Sequence, residues 1–266
     1  MTEQLLPDRL SFLNPHVVDD LTRYGNPRDG GYLLPASVME GIDGVLSFGL
    51  ATDWSLEQEL AAGHPERVIH AYDHTVGAKT FRRSLKNALL KFLGGRTSLE
   101  DLRHRYETDR SYHRFFAGNR VHYRERMFNR QDNANDATLD IAFARLGAAG
   151  HVFVKIDIEG SEYRIIPRLS RFADRIDLVA IEFHDTDPLR PVFESQLRSL
   201  LDRFAIIHLH GNNIAGVAAD GLPEALEITL LSRRFAIGER RRDRLPVDGL
   251  DLPNDPLKPD VALRFR

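Results

Sequence analysis

Short apolar runs alternate along this chain with longer stretches of helical periodicity. The runs are rich in Val, Ile, Leu and Phe, a pattern typical of strands that are buried on both faces of a parallel sheet. Seven of them are predicted to be strands: Gly44–Gly49, Arg67–Tyr72, Val121–Met127, His151–Asp157, Ile176–Phe183, Phe204–His210 and Leu226–Leu231. Strands that alternate with helices predict an α/β fold with a doubly wound, mostly parallel seven-stranded sheet.

The stretches between these runs predict helices and two irregular features. The predicted helices are Trp54–Ala62 with Asp53 as its N-cap, Ser161–Leu169 and Val192–Arg203. Residues 79–120 are polar and helix-prone with a break at Gly94-Gly95, which predicts a helical insertion that serves as a lid or cap. Residues 240–266 hold four prolines and many charges, which predicts an irregular surface tail. Residues 1–266 are otherwise expected to form a single domain.

Composition narrows the possible classes of protein. A chain of 266 residues with 42% hydrophobic residues can bury one large core, and its net charge of −3 provides no general attraction for nucleic acid. The absence of cysteine excludes disulfides, thiolate metal sites and cysteine nucleophiles. The first residues lack the pattern of a signal peptide, and no apolar window reaches the ~20 residues of a membrane span. We therefore expect a soluble, cytoplasmic protein that has no membrane span and binds no nucleic acid.

Polar residues at the carboxyl ends of the predicted strands are candidates for ligand binding, because open parallel sheets bind ligands at that edge. Gly49 ends the first strand, where a missing side chain would let a ligand approach the backbone. Asp73 ends the second strand, where a carboxylate can accept both hydroxyls of a ribose. An ordinary turn and a helix cap explain these two residues equally well. The single glycine, in place of G-x-G-x-x-G, argues against an NAD-dependent oxidoreductase.

Residues 154–162 carry the most specific motif of the chain. They read Val-Lys-Ile-Asp-Ile-Glu-Gly-Ser-Glu and match every position of the pattern K-[IV]-D-[IV]-E-G-[AS]-E. This segment resembles the signature of the FkbM-type methyltransferases, which use S-adenosylmethionine (SAM). Further segments resemble other elements of that family in the same order: Arg28–Pro35, Val45–Asp53, Ala71–Thr75, His208–Asn213, Leu222–Thr229 and Leu250–Asn254. The insertion at residues 79–120 matches the family poorly.

The resemblance implies a Rossmann-like fold of the class I methyltransferase type. It also implies that the protein binds SAM and methylates a hydroxyl oxygen on a small-molecule, sugar or glycan-like acceptor. Carried onto this chain, it puts Gly49 beside the methionine part of SAM, Asp73 at the ribose and Asp157 beside the reacting methyl group. Ser47 and Asp53 belong to the same first motif and are expected to contact the cofactor as well.

Methylation of an alcohol releases a proton, so a general base or a Lewis-acidic metal ion assists the reaction. The residues predicted to be catalytic are Asp157, Glu159, His184 and His210. The residues predicted to bind the acceptor are Glu182, Asn212 and Asn213. Mg²⁺ or another divalent ion is a further hypothesis, with Asp157, Glu182 and His210 as its ligands. A structural role is the alternative for each histidine and is favoured for His208, and adjacent asparagines are also common in turns.

One other class of function stays open. The single-glycine turn, together with His74 where the family has proline, fits a non-catalytic protein of this fold that binds a nucleoside or a partner surface. A nucleic-acid methyltransferase is disfavoured, because basic residues interleave with aromatic ones only between Arg103 and Arg126, which we interpret as an amphipathic lid. Affinity for SAM, and its loss in Asp73→Ala, would separate the methyltransferase from the alternatives.

Overall fold

The centre of the fold is a seven-stranded sheet, seen in a computed structural model that describes residues 4–265. Its strands are β1 (Gly44–Phe48), β2 (Val68–Tyr72), β3 (Arg120–Tyr123), β4 (Val152–Ile156), β5 (Ile176–Phe183), β6 (Phe204–Gly211) and β7 (Leu226–Ser232). They lie in the order β6-β7-β5-β4-β1-β2-β3, and only β7 runs antiparallel to its neighbours. This confirms the predicted doubly wound, mostly parallel sheet, the Rossmann-like fold type that the resemblance implies.

Helices cover both faces of the sheet. They are α1 (Ala36–Gly41), α2 (Ser55–Gly63), α3 (Ala78–Leu93), α4 (Leu99–Phe115), α5 (Leu139–Leu146), α6 (Glu162–Ile165) and α7 (Arg190–Leu201). The predicted helix at 161–169 is only one α-turn, followed by a 3₁₀ segment at Ile166–Phe172, because Pro167 lacks the N–H that would continue the α-helix. The N-cap of α2 is Trp54 and not Asp53, although Asp53 still accepts a hydrogen bond from the backbone N–H of Ser55. None of the helices within residues 4–265 is long and apolar enough to cross a membrane.

Successive residues of each strand point to opposite faces, so the sheet separates two hydrophobic clusters. In β4, Val152, Val154 and Ile156 pack into the cluster that contains α5, whereas Phe153 packs into the cluster that contains α2. All of them are fully buried. This burial on both sides explains why the strand sequences are almost continuously apolar.

Several short strands lie outside the central sheet. Leu21–Gly25 and Gly31–Pro35 form an antiparallel hairpin, whose turn holds the Asp29-Gly30 pair. Arg126–Met127 pairs with Asp136–Ala137 after β3. Gln4–Leu5, Leu263–Arg264 and Arg244–Leu245 make a small three-stranded sheet. The hairpin turn and the segment after β3 both reach the edge of the central sheet where the strands end.

The insertion at 79–120 consists of α3 and α4, joined by residues 94–98 and packed against each other. An aromatic cluster attaches this helical hairpin to the domain: Trp54, just before α2, contacts Phe81 of α3 and Tyr112 of α4 at ring-centroid distances of 5.4 and 5.7 Å. The helices agree with the sequence analysis, and the lid or cap role stays a prediction.

The C-terminal tail differs from the expectation of a surface chain. Apart from two short strands it is irregular, but four of its apolar side chains are buried in the larger hydrophobic cluster. They are Leu245, Val247, Leu263 and Phe265. The prolines and charged residues around these apolar positions leave no period in the sequence from which their burial could be predicted.

Candidate active site

A cavity of about 570 Å³ opens at the carboxyl edge of the sheet. It lies where β1 and β4 are adjacent, which is the point where the chain switches from building the sheet on one side to building it on the other. The loops after β1, β2 and β4 line it, together with the turn of the N-terminal hairpin and the segment that follows β3. The volume is within the range of about 300–1,000 Å³ that is common for small-molecule sites.

Gly49 is the point of closest approach between the loops after β1 and β4. Its φ is +89°, and a Cβ added there would lie 1.7 Å from the carbonyl oxygen of Asp157. The N–H of Gly49 donates to the carbonyl of Tyr72 at 3.0 Å. Any side chain would therefore push apart the two loops that form the floor of the cavity.

Asp73 fixes the loops on the opposite wall. One carboxylate oxygen accepts hydrogen bonds from the backbone N–H groups of Leu50 and Ala51, and the other accepts from the N–H and the hydroxyl of Thr75. Burial alone raises the pKa of Asp73, but the hydrogen bonds from Thr75, Ala51 and Leu50 outweigh it and hold the pKa below its usual value. A carboxylate has about four acceptor positions, so all of them are in use in this structure.

Lys155 connects the floor of the cavity to the end of β4. Its ammonium group donates to the carbonyl of Gly49 at 2.7 Å and pairs with Asp157 at 3.2 Å. Burial lowers the pKa of Lys155, and the charges of Asp157 and Glu57 overcome this and raise it. Lys155 is therefore a buried cation that fixes the position of Asp157.

The remaining residues predicted to contact the cofactor divide into two groups. Asp53 lines the cavity and accepts a hydrogen bond from the Asn26 side chain at 2.9 Å. Ser47 does not line it: its side chain is fully buried, and its hydroxyl donates to Glu57 of α2. Because Ser47 lies within β1 and not after it, its side chain points beneath the floor. Glu57 itself lines the cavity, and burial raises its pKa.

Acidic side chains collect next to Asp157, beyond the cavity. Ligand atoms of Asp157, Glu182 and His184 lie within 4.8 Å of one another, and so do those of Asp29, Glu182 and Glu227. Burial raises the pKa of Glu182, and the negative charges of Asp157 and Glu227 raise it further. The predicted residues at the ends of β4 and β5 are thus brought together.

Carboxylates surround His184. Nδ1 lies 3.3 Å from Oε1 of the fully buried Glu162, and Nε2 lies 3.5 Å from Glu159. Burial lowers the pKa of His184, but Glu162 and Glu182 outweigh burial and raise it, so the imidazole is protonated at neutral pH. Glu159 lines the cavity and its side chain is largely exposed. The Nδ1 contact to Glu162 orients Nε2 toward the acidic cluster.

His210 does not join Asp157 and Glu182 as predicted. Its Nε2 donates to Asp260 at 3.0 Å, and its Nδ1 lies 3.4 Å from Glu227. Burial lowers the pKa of His210, but these carboxylates raise it to about 10. Both ring nitrogens of His210 therefore face carboxylates other than the predicted ones, and the histidine in reach of Asp157 and Glu182 is His184.

The two asparagines and His208 bind the protein itself. Asn212 donates to Glu182 at 2.8 Å, and Asn213 donates to the carbonyl of Asp255 at 2.9 Å. His208 lies 3.1 Å from Asp251. Asn213, His208 and His210 therefore hold the tail against β6, whereas Asn212 positions a carboxylate of the acidic cluster. The acceptor role predicted for Asn212 and Asn213 stays untested.

Backbone strain marks the same edge of the sheet. Within residues 4–265, the non-glycine residues with positive φ are Ala51, Glu159 and Asp185. They follow β1, β4 and β5, and left-handed conformations at such residues cost free energy that the surrounding structure must offset. Their concentration at three neighbouring strand ends is typical of a functional site.

Two residues of the site were missed by the sequence analysis. Glu57 lies on the buried face of α2 with Leu60 and Ala61, so a carboxylate on an apolar stripe was the available signal. Asp29 lies in the Arg28–Pro35 segment that resembles a family element, but it was not among the predicted site residues; it lines the cavity and contributes to the acidic cluster. Its position depends on how the hairpin folds over the sheet, which no local pattern encodes.

Comparisons with known proteins give no family assignment. No family model matches the chain, and no curated protein matches it. Among solved structures it is similar to a fibrillarin/Nop5p complex, with 14% identity and a TM-score of 0.35 over 87% of this chain and 100% of that chain. It is also similar to a precorrin-6y C5,15-methyltransferase from Geobacter metallireducens, with 10% identity and a TM-score of 0.33 over 74% of this chain and 87% of that one.

A third structure is a 16S rRNA (adenine(1408)-N(1))-methyltransferase from Catenulisporales acidiphilia. It has 11% identity and a TM-score of 0.33, over 74% of this chain and 91% of that one. Similarities at these TM-scores say nothing about the function of this chain.

Proposed function

We propose that this protein is a SAM-dependent methyltransferase related to the FkbM type, and that the cavity at the carboxyl edge of the sheet binds SAM. The observation that carries the proposal is that Gly49, Asp73 and Asp157 all line one cavity, which lies at the switch point between β1 and β4. These residues come from three separate strand ends, and each belongs to a segment that resembles a family motif. When bound, SAM supplies a methyl group on a sulfonium that is already activated for transfer.

The residues around the cavity fit the parts of such a cofactor. The loop after β1 gives close access to the backbone beside Gly49, and Asp53 offers a carboxylate to an ammonium group. The wall fixed by Asp73 is suited to a ribose, since the hydroxyl of the exposed Thr75 can turn away and free one acceptor position on the carboxylate. Asp157 lies at the other end, next to the acidic cluster. The enzyme would then act mainly by positioning.

We propose a hydroxyl group of a small-molecule, sugar or glycan-like molecule as the methyl acceptor. Such a hydroxyl loses its proton during transfer, and a carboxylate whose pKa is raised toward neutrality is a suitable base. Burial and the neighbouring negative charges raise the pKa of Glu182 to about 8, so this carboxyl, held by Asn212 next to Asp157, becomes a base as the pH rises toward 8. His184 is protonated and would instead stabilise the negative charge of the cluster. Asp157 and Glu159 remain the candidates that reach the cavity directly.

The same cluster fits a divalent ion. Asp157 and Glu182 provide oxygen ligands, and Glu162 orients His184 through Nδ1, the arrangement in which a histidine offers Nε2 to a metal. A bound ion would act as a Lewis acid at the acceptor hydroxyl. Binding would require His184 to lose its proton, so metal affinity should rise with pH.

Calorimetric titration with SAM and with S-adenosylhomocysteine, with and without Mg²⁺, tests the proposal. We expect micromolar binding of both ligands by the wild type and strong weakening in Asp73→Ala. Asp132→Ala, at an exposed loop position, is the matched control and should bind like the wild type. Absence of binding to either ligand under every metal condition would exclude a SAM-dependent enzyme.

A further inference from the structure

The chain between Asp73 and Glu100 is strongly basic. This stretch contains six Lys or Arg residues and no Asp or Glu, in a protein whose net charge is −3. The basic residues are Lys79, Arg82, Arg83, Lys86, Lys91 and Arg96. Most of them belong to α3, and all six are exposed. The helix thus carries a local positive field that the composition of the whole chain conceals.

The tip of the α3–α4 hairpin, where α3 ends and α4 begins, presents apolar side chains to solvent. Leu90 and Leu93 are 60% and 74% exposed. Leu89, Phe92 and Leu99 also present large apolar side chains to solvent. A contiguous group of exposed apolar side chains is uncommon on a protein surface and indicates an interaction site.

Helical geometry orders these residues along one face of α3. Arg82, Lys86, Leu89 and Leu93 are spaced by four, three and four residues, so they share a face, with the basic residues nearer the start of the helix. The opposite face, with Phe81 and Ala88, is buried. At 1.5 Å per residue, Leu93 lies about 10 Å further along the axis than Lys86.

We propose that the tip of the α3–α4 hairpin docks on an anionic lipid surface. The exposed leucines enter the boundary between headgroups and acyl chains, which amphipathic helices penetrate by about 5–10 Å. Lys86, Arg82 and Arg83 then lie at the level of the headgroups, where basic residues are attracted to anionic lipid. This inference does not depend on the proposed methyltransferase activity.

Charge and apolarity together favour lipid over other partners. A nucleic acid would pair with the basic residues but would leave the exposed leucines in water. A second copy of the chain, docked symmetrically through the same tips, would bring the basic α3 helices of both copies together, and Glu100 and Asp101 at the start of α4 would offset only part of this charge. An anionic membrane surface would attract the basic residues and would also remove the exposed leucines from water.

Vesicle co-sedimentation with the full chain tests this inference. Vesicles of phosphatidylcholine with phosphatidylglycerol should bind the protein, and pure phosphatidylcholine vesicles should bind it at least about tenfold more weakly, since each basic residue near an anionic surface contributes several-fold in affinity. Leu93→Glu and Lys86→Glu should each reduce the binding by about tenfold or more. Both positions are exposed, so circular dichroism should show wild-type folding.

Leu257→Glu is the matched control, because Leu257 is 93% exposed but lies in the C-terminal tail. This variant should bind vesicles like the wild type. Equal loss in Leu257→Glu, or no preference for anionic vesicles, would overturn the proposal. So would dimers in light scattering that dissociate in Leu93→Glu, or RNA binding that survives in Leu93→Glu while vesicle binding is absent.

Discussion

Replacement of Gly49 by alanine is the most direct test of how the cavity floor is built. The structure puts the new Cβ 1.7 Å from the carbonyl oxygen of Asp157, and the residue would have to keep a φ of +89°. A side chain in the left-handed region costs about 1–2 kcal/mol by itself. The contact with Asp157 is with backbone, so no rotamer change can relieve it, and the two loops must separate.

Separation of the loops breaks two hydrogen bonds. The bond from Lys155 to the carbonyl of Gly49 involves a charge and contributes about 1.5–3 kcal/mol, and the bond from the N–H of Asp157 to the carbonyl of Phe48 contributes about 1 kcal/mol. We therefore expect Gly49→Ala to lower the free energy of unfolding by about 4–6 kcal/mol. For a domain of this size, that corresponds to a fall in Tm of roughly 10–20 °C.

The assay is urea and thermal unfolding followed by circular dichroism, with Gly95→Ala as the matched control. Gly95 also has a positive φ, of +68°, but an added Cβ would meet nothing within 4 Å. Gly95→Ala should lower the free energy of unfolding by only about 1–2 kcal/mol, the cost of the left-handed conformation alone. Equal losses of unfolding free energy in the two variants would refute the close approach of Gly49 to the carbonyl of Asp157. They would therefore also refute the cavity floor that these two loops form.

Three further changes test the walls and the support of the site. Asp73→Asn puts an amide N–H₂ group against N–H donors. It should lower the free energy of unfolding by about 2–4 kcal/mol at neutral pH. Since the folded pKa of Asp73 is lowered, this difference in unfolding free energy should persist down to about pH 3.8 and shrink as the pH falls further, through the lowered folded pKa. Lys155→Met leaves Asp157 and Glu57 without a neighbouring cation and should lower the free energy of unfolding in urea by about 3–5 kcal/mol, partly restored by adding Glu57→Gln. His210→Asn should destabilise most below pH 6.5, and the difference from the wild type should decline as the pH approaches 10, where His210 loses its raised-pKa proton. A difference that grew toward alkaline pH would show that His210 is neutral in the folded protein.

Much of the fold could be predicted from the chain because the strands of a parallel sheet are buried on both sides. Ile176–Phe183 is apolar at nearly every position, and the predicted strand agrees with β5 residue for residue. The other predicted strands agree within a few residues. The burial of four apolar residues in the otherwise irregular tail could not be predicted, since these residues are scattered between prolines and charges and carry no period.

The site was predictable where a residue directly follows a strand. Gly49, Asp73, Asp157 and Glu159 all line the cavity, because the carboxyl ends of parallel strands share one edge of the sheet. Side-chain partners were not predictable in this way. His184 and His210 both lie near the ends of strands, and only the fold shows that His184 reaches Asp157 and Glu182 while His210 binds Asp260.

The sequence by itself therefore determined the class of fold, the edge of the sheet that carries the site and the strand ends that reach it. These depend on local burial and on the alternation of strands and helices along the chain, both of which can be read from the apolar runs and the stretches between them. Only the tertiary structure decided which side chains meet: Glu57 and Asp29 at the cavity, Lys155 against Gly49, and the tail against His208 and His210. Such contacts join residues far apart in the chain, and they depend on loop paths and side-chain packing that no local pattern of residues specifies.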